Sequence, residues 1–239
     1  MKGSDRMAEI FSSWLDMDRL SSRVSSQQIS VAKGFDKHWS KRVMDLAIAI
    51  PALIVLTPLF LIISLAIKID SPGSVIFRQE RVGKYGKYFQ MYKFRSMRND
   101  IDDSLHKAHI AAYASGELDV SHGNKISEDP RITKVGKFIR KTSIDELPQL
   151  WNVIKGDMSI IGPRPVPVYE VNQYNLWQSE RLDAVPGITG LWQVVRRGKS
   201  SFEEQLRLDI RFIRNQSFWL DLKILILTVP AIISKAGAE

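Results

Sequence analysis

Hydrophobic positions along the chain fall into several distinct patterns. The strongest is an unbroken apolar run of 22 residues between Asp45 and Lys68, LAIAIPALIVLTPLFLIISLAI. At about 1.5 Å per residue a straight helix of that run would be about 33 Å long, enough to cross a bilayer core. Pro51 and the Thr57-Pro58 pair interrupt it. An internal proline removes one backbone hydrogen bond and crowds the preceding turn, so a kink is expected near Thr57-Pro58. The next pattern, VIFRQERVGKYGKYFQMYKFRSM (75–97), reads as two short strands with Gly83 and Gly86 marking the turn. In RITKVGKFIRK (131–141), Ile132, Val135 and Ile139 form an apolar stripe, and Lys134, Lys137 and Lys141 a basic one. That spacing predicts an amphipathic helix. Met7, Ile10, Phe11, Trp14 and Leu15 share one helical face near the start. The polar stretch Asn99–Glu128 holds room for a helix over Ile101–Tyr113. Near the end, Ile224–Ile233 is apolar but short and contains Pro230. A helix at a membrane interface or against the core fits it better than a span.

Charge narrows these patterns. The chain has 239 residues, with 34 Lys and Arg against 26 Asp and Glu, a formal net charge of +8. The length suits one full-sized domain plus an appendage. The charge favours an anionic partner: nucleic acid, an anionic membrane surface or a phosphorylated substrate. Lys33, Lys37, Lys41 and Arg42 precede the apolar run, and Lys68, Arg78, Arg81 and Lys84 follow it. A single crossing usually gathers basic residues on one side. Basic flanks at both ends suit a hairpin that enters and leaves by the cytoplasmic face; an ordinary kinked span is the alternative. A cleaved signal peptide does not fit, because the run begins about 45 residues in. There is no cysteine, which excludes disulfides, thiolate nucleophiles and Cys-based zinc sites. No Walker or Rossmann glycine spacing occurs. His106, His109 and His122 read as a solvated helix face rather than a metal site, since no carboxylate pattern completes one.

The candidate chemistry lies in KTSIDELPQLWNVIKGDMSIIGPRP, Lys141 to Pro165. Asp145 and Glu146 are adjacent acids in a basic chain. One reading is a capping box, with Ser143 as cap and Glu146 reaching back. Pro148 complicates it, because its missing N–H predicts an irregular turn around the acids or a helix that restarts at Pro148. The other reading is phosphoryl transfer. A carboxylate can attack phosphorus, a hard divalent cation held by carboxylates and phosphates offsets the developing charge, and arginines grip the phosphates. Arg140 and Arg164 supply such guanidiniums, and the prolines around Arg164 fix its backbone.

KFRSM (93–97), DPRITKVGKFIRKTSIDELPQLWNVIKGDMSIIGPRP (129–165), PGITGLWQV (186–194) and LDLKIL (220–225) occur in order. Together they resemble the bacterial sugar transferases, the monotopic phosphoglycosyl transferases of exopolysaccharide and glycan biosynthesis, over roughly residues 41 to 236. The resemblance implies transfer of a sugar 1-phosphate from a UDP-sugar to polyprenyl (undecaprenyl) phosphate, with release of UMP. It implies Asp145 as nucleophile and Glu146 beside it, both contacting Mg²⁺. Arg140 becomes a phosphate ligand, and Pro163-Arg164-Pro165 lies at the nucleotide end. Lys93 and Arg95 face phosphates, and Arg197 keeps an arginine of the motif after PGITG. The resemblance also implies a re-entrant membrane helix broken at Thr57-Pro58, where members carry Ser-Pro; the threonine hydroxyl can still bond a freed carbonyl. Arg196 stands where many members have glycine.

The expected fold is α+β: a re-entrant helix hairpin with a small cytoplasmic catalytic domain of amphipathic interfacial helices and a short β-hairpin. The expected division is a polar extension 1–40, the membrane helix 41–70 and the catalytic domain 71–239. The expected place is the bacterial inner membrane, with the active site on the cytoplasmic face, contact with phospholipid and no nucleic acid. Homo-oligomerisation is left open. The rival reading is a non-catalytic surface module that binds anionic lipid or a partner, but such a module gains little from two acids beside a basic stripe.

Overall fold

The computed structural model describes residues 34–98, 129, 131–195 and 200–233. The N-terminal amphipathic face, the helix expected over Ile101–Tyr113, the three histidines named above, Arg196 and Arg197 lie outside the described residues.

Helix α1, Gly34–Asp70, carries the apolar run and continues through Pro51 and Pro58. The Thr57 hydroxyl donates to the Leu53 carbonyl at 2.9 Å. That carbonyl is one residue before Ile54, whose usual partner would be the N–H that Pro58 lacks. Strands β1, Ile76–Val82, and β2, Tyr88–Phe94, form the expected antiparallel hairpin around a tight turn at Lys84–Gly86. The basic amphipathic segment is helix α2, Lys134–Lys141, with the Thr133 side chain accepting from the Gly136 N–H as its cap. There follow α3, Gln149–Lys155; β3, Ser159–Ile161; α4, Val168–Val171; and α5, Leu176–Ser179. The chain closes with β4, Gly187–Thr189; α6, Leu191–Val195; α7, Phe202–Arg214; and α8, Phe218–Ile233. Strands β3 and β4 pair in parallel, a small sheet that the hydrophobic pattern did not announce.

α1 has two faces of different character. Asp45, Ala49, Ile63 and Ile67 are buried against the rest of the molecule, in two pairs each four residues apart. Ile54, Val55, Leu61, Ile62, Leu65 and Ile69 are exposed. The segment Trp39–Asp70 is long and apolar enough to cross a membrane, with mean hydropathy 2.8 over its best window, of which 11% is buried. A helix at the centre of a water-soluble core would be mostly buried, so this one leaves an apolar surface for lipid.

Both ends of α1 are fastened to the same body. At the start, Arg42 donates to the carbonyls of Val153 and Ile154, Lys41 pairs with Asp221 at 2.9 Å, and the buried Asp45 accepts from the Ser159 hydroxyl and the Ile160 N–H. At the other end, the Arg95 guanidinium donates to the carbonyls of Ser71 and Pro72 at 2.6 and 2.7 Å. Between these clasps α1 packs on two clusters. Ala49 joins Met91, Leu150, Val153, Ile160 and Phe212; Ile63 and Ile67 join Phe94 and Ile139.

Candidate active site

The acids owe their position to a local break in helicity. After α2, Ser143 adopts the left-handed conformation (φ 58°, ψ 16°) and turns the chain into a single 3₁₀ turn, Ile144–Glu146. Pro148 then stands at the N-cap of α3. Helix restart at Pro148 therefore holds. The capping box does not: Ser143 makes no side-chain capping bond. The Glu146 carboxylate turns to cations, with Lys93 Nζ at 2.8 Å and Arg164 Nη1 at 3.6 Å from its Oε1. A non-glycine residue at positive φ is uncommon and tends to mark turns under functional constraint.

Three elements bring the partners in. β2 carries Lys93, and α3 is pinned beside that strand by Asn152, fully buried. Its Oδ1 accepts from the Tyr92 N–H at 3.0 Å and its Nδ2 donates to the Gln90 carbonyl at 2.7 Å. The third element is the loop after β3. Gly162 and Gly187 meet backbone to backbone, so closely that a Cβ on Gly187 would lie 2.0 Å from the Gly162 nitrogen. Their main chains interlock, Gly162 N–H to Thr189 O at 2.9 Å and Gly187 N–H to Pro163 O at 2.7 Å. The IIGPRP and PGITG motifs, distant in sequence, are thereby one structural unit. Pro163 and Pro165 are buried, and Arg164 stands between them, partly exposed.

A cleft opens at this junction, lined by Arg81, Lys93, Glu146, Gln149, Arg164 and Pro165 among others. Asp145 sits deeper, 9% exposed. Burial pushes its carboxyl above the usual carboxylate range; Lys93, Arg140 and Arg164 pull it back, while the charge on Glu146 adds to the rise. The field of four charged residues meets at this one group, three of them cations.

Of the residues the sequence singles out, Asp145, Glu146, Lys93, Arg140 and Arg164 come together, with Pro163 and Pro165 flanking Arg164. Arg95 does not join them. Its side chain, 3% exposed, is spent on carbonyls at the end of α1, so its part in KFRSM is to hold the apolar helix. The Cβ of any residue at Gly73 would strike it. The sequence did not single out Arg81 for the cleft. Strand alternation was the available signal, since Gln79 and Arg81 share one face of β1. Nor did it announce the buried group behind the Arg164 loop. There Arg181 donates to Asp209 at 2.8 Å, to Glu170 at 3.1 Å and to the Tyr174 hydroxyl at 2.7 Å. Burial pushes the Asp209 carboxyl up, and Arg181 pulls it back.

Among the described residues no three side chains of the His, Asp or Glu kind converge as a metal-holding group. Mg²⁺ commonly takes only one or two protein carboxylates and completes its shell with substrate phosphates and water. Asp145 and Glu146 fit that mode.

An apolar helix fastened to a body that carries a basic cleft with two acids describes a protein with a surface suited to lipid and a site suited to anionic groups. Residues 36–235 match the sequence pattern of the family described as bacterial sugar transferase, and the chain belongs to that family. It is 43% identical over 201 residues to the galactosyl transferase CpsE of Streptococcus agalactiae, a match covering 84% of this chain and 43% of that protein. It is 40% identical over 202 residues to the exopolysaccharide production protein ExoY of Sinorhizobium fredii, covering 83% and 88% respectively. It is 42% identical over 198 residues to a UDP-glucose:undecaprenyl-phosphate glucose-1-phosphate transferase of Klebsiella pneumoniae, covering 79% and 39%. The chain thus spans less than half the length of the first and third relatives and nearly all of the second.

Proposed function

We propose that the protein transfers a sugar 1-phosphate from a UDP-sugar to undecaprenyl phosphate and releases UMP. The observation that carries this reading is the buried Asp145 within the field of Lys93, Arg140 and Arg164, next to Glu146. The name of the Klebsiella relative supplies the donor and acceptor classes.

In the first step an Asp145 carboxylate oxygen attacks the phosphorus that bears the sugar. The bond from that phosphorus to the bridging oxygen breaks, and UMP leaves with the oxygen and its electron pair. The product is an acyl-phosphate between Asp145 and the sugar phosphate. In the second step a phosphate oxygen of undecaprenyl phosphate attacks the same phosphorus, which restores the carboxylate and yields the lipid diphosphate sugar. Lys93, Arg140 and Arg164 offset charge on the phosphates. Asp145 and Glu146 would hold Mg²⁺, which supplies Lewis-acid stabilisation of the phosphoryl oxygens when bound.

We place residues 71–239 as the catalytic domain and residues 41–70 as a re-entrant helix in one leaflet, with its bend at Thr57-Pro58. Two features support this. Both ends of α1 are clasped by one body, at Arg42 and at Arg95. One face of the helix also packs on that body along its length. A helix crossing the bilayer would carry the polar body packed along its face into the hydrocarbon with it. The active site then lies at the cytoplasmic face of the bacterial inner membrane, against phospholipid.

The test is UMP release by purified protein in nanodiscs with Mg²⁺, undecaprenyl phosphate and a panel of UDP-sugars: glucose, galactose, N-acetylglucosamine, N-acetylgalactosamine and a diacetamido sugar. The expected outcome is UMP from one donor, dependent on lipid and metal. UMP formation that ignores the lipid acceptor over many turnovers would mean hydrolysis rather than transfer.

A further inference from the structure

Arg81 sits in the cleft, although its place in the chain marks it only as a charge flanking the apolar run. It lies on β1, one residue before the strand ends, and Val82 bridges to Val166 just beyond the Pro-Arg-Pro turn. One guanidinium nitrogen donates to the Pro165 carbonyl at 3.1 Å and another to Gln79 Oε1. Nε is buried and has no hydrogen-bond partner. Burial most disfavours the charge on Arg81 and the nearby charge of Arg164 adds to this, while Tyr169, Glu170 and Glu146 pull the other way. Glu146, the carboxylate lining this cleft, already pairs with Lys93 and Arg164.

Holding the Pro165 carbonyl requires one donor. A guanidinium is a costly choice for that task beside a second guanidinium, because like charges repel in a partly desolvated site. The arrangement becomes favourable when an anion with two charges lies between them, since each planar fork can grip a phosphate bidentately. We propose that Arg81 is a second phosphate-binding arginine, which shares with Arg164 the diphosphate of the donor. This rests on the UDP-sugar reading above. Its chemistry distinguishes a diphosphate from a bare nucleoside: the nucleoside gains nothing from Arg81.

The experiment measures binding of UDP and of uridine to the full chain in detergent, without lipid acceptor, for wild type, Arg81→Gln and Arg81→Lys. Wild type binds UDP more tightly than uridine. Arg81→Gln loses UDP affinity by about tenfold or more, the scale of a lost charge-assisted hydrogen bond, with uridine affinity unchanged. Arg81→Lys keeps a charge and a donor for Pro165 and falls between them. The dependence of UDP affinity on salt also becomes shallower in Arg81→Gln. An equal loss for UDP and uridine, or no loss in either, would reduce Arg81 to a prop for the Pro165 turn. If Arg81→Gln does not fold, Arg81→Lys decides: UDP affinity equal to wild type overturns the proposal. A wild type that does not prefer UDP to uridine would overturn the UDP-sugar reading itself, an outcome separate from a failure confined to Arg81.

Discussion

At Asp145 the decisive quantity is the balance between burial and three cations. Burial is the larger effect, so the folded-state pKa is raised. The neutral acid is then favoured by folding. That contribution is fully present below the unfolded pKa and is lost as pH rises through the folded one. At neutral pH the charge on Asp145, which the proposed attack on phosphorus needs, therefore opposes stability. Asp145→Asn should abolish UMP release and the covalent phosphosugar adduct, read by intact-protein mass, while the melting temperature stays level or rises. Acidifying the wild type should depress turnover at a pH above the ordinary carboxylate range, as the nucleophile takes a proton. Residual turnover in a clean Asp145→Asn preparation would move the nucleophile elsewhere. Asp145, Glu146 and Arg164 were legible because they stand in contiguous motifs whose residue types suit phosphate. Arg95 was misplaced because β2 ends at Phe94: a strand running on would keep Lys93 and Arg95 on one face, but past its end the chain turns, so Lys93 reaches Glu146 and Arg95 reaches Ser71.

Two elements hold the site in shape, and each has a single point of weakness. Asn152 ties α3 to β2 through two main-chain partners. Asn152→Ala takes from the Tyr92 N–H and the Gln90 carbonyl a part-buried partner, which should cost about 1 kcal/mol in denaturant unfolding. Turnover should fall too, because Lys93 and Glu146 come from the two elements that it joins. The other point is the Gly162–Gly187 crossing. A methyl on Gly187 meets main-chain atoms rather than a movable side chain, so Gly187→Ala should separate the Pro-Arg-Pro turn from β4. Loss of UDP binding together with a lower melting temperature is the expected reading, and an unchanged variant would mean that the loops part without harm. The hairpin and α2 were legible because their periods of two and 3.6 are local. Strands β3 and β4 were not, because three residues each are too few to show a period.

The whole molecule joins an apolar helix to a basic body along one face. The absence of cysteine makes a topology test direct, since single-cysteine variants have no background. Trp39→Cys and Ser74→Cys place probes at the two exposed ends of the apolar helix. A membrane-impermeant maleimide should label neither in intact cells and both in inverted vesicles. Labelling of one probe from outside would show a helix that crosses.

The sequence by itself determined the apolar helix, the hairpin, the basic amphipathic helix and the identity of the two acids, because each is written in consecutive residues or in a short period. Tertiary structure alone decided that, of the cations the motifs offer, Lys93, Arg140 and Arg164 reach the acids and Arg95 does not. Arg81 and the Gly162–Gly187 contact arise where β1, the loop after β3 and β4 meet, and no local pattern encodes that meeting. The same holds for the fate of Ser143: a capping box is a local preference, and the pull of Lys93 and Arg164 on Glu146 outweighs it.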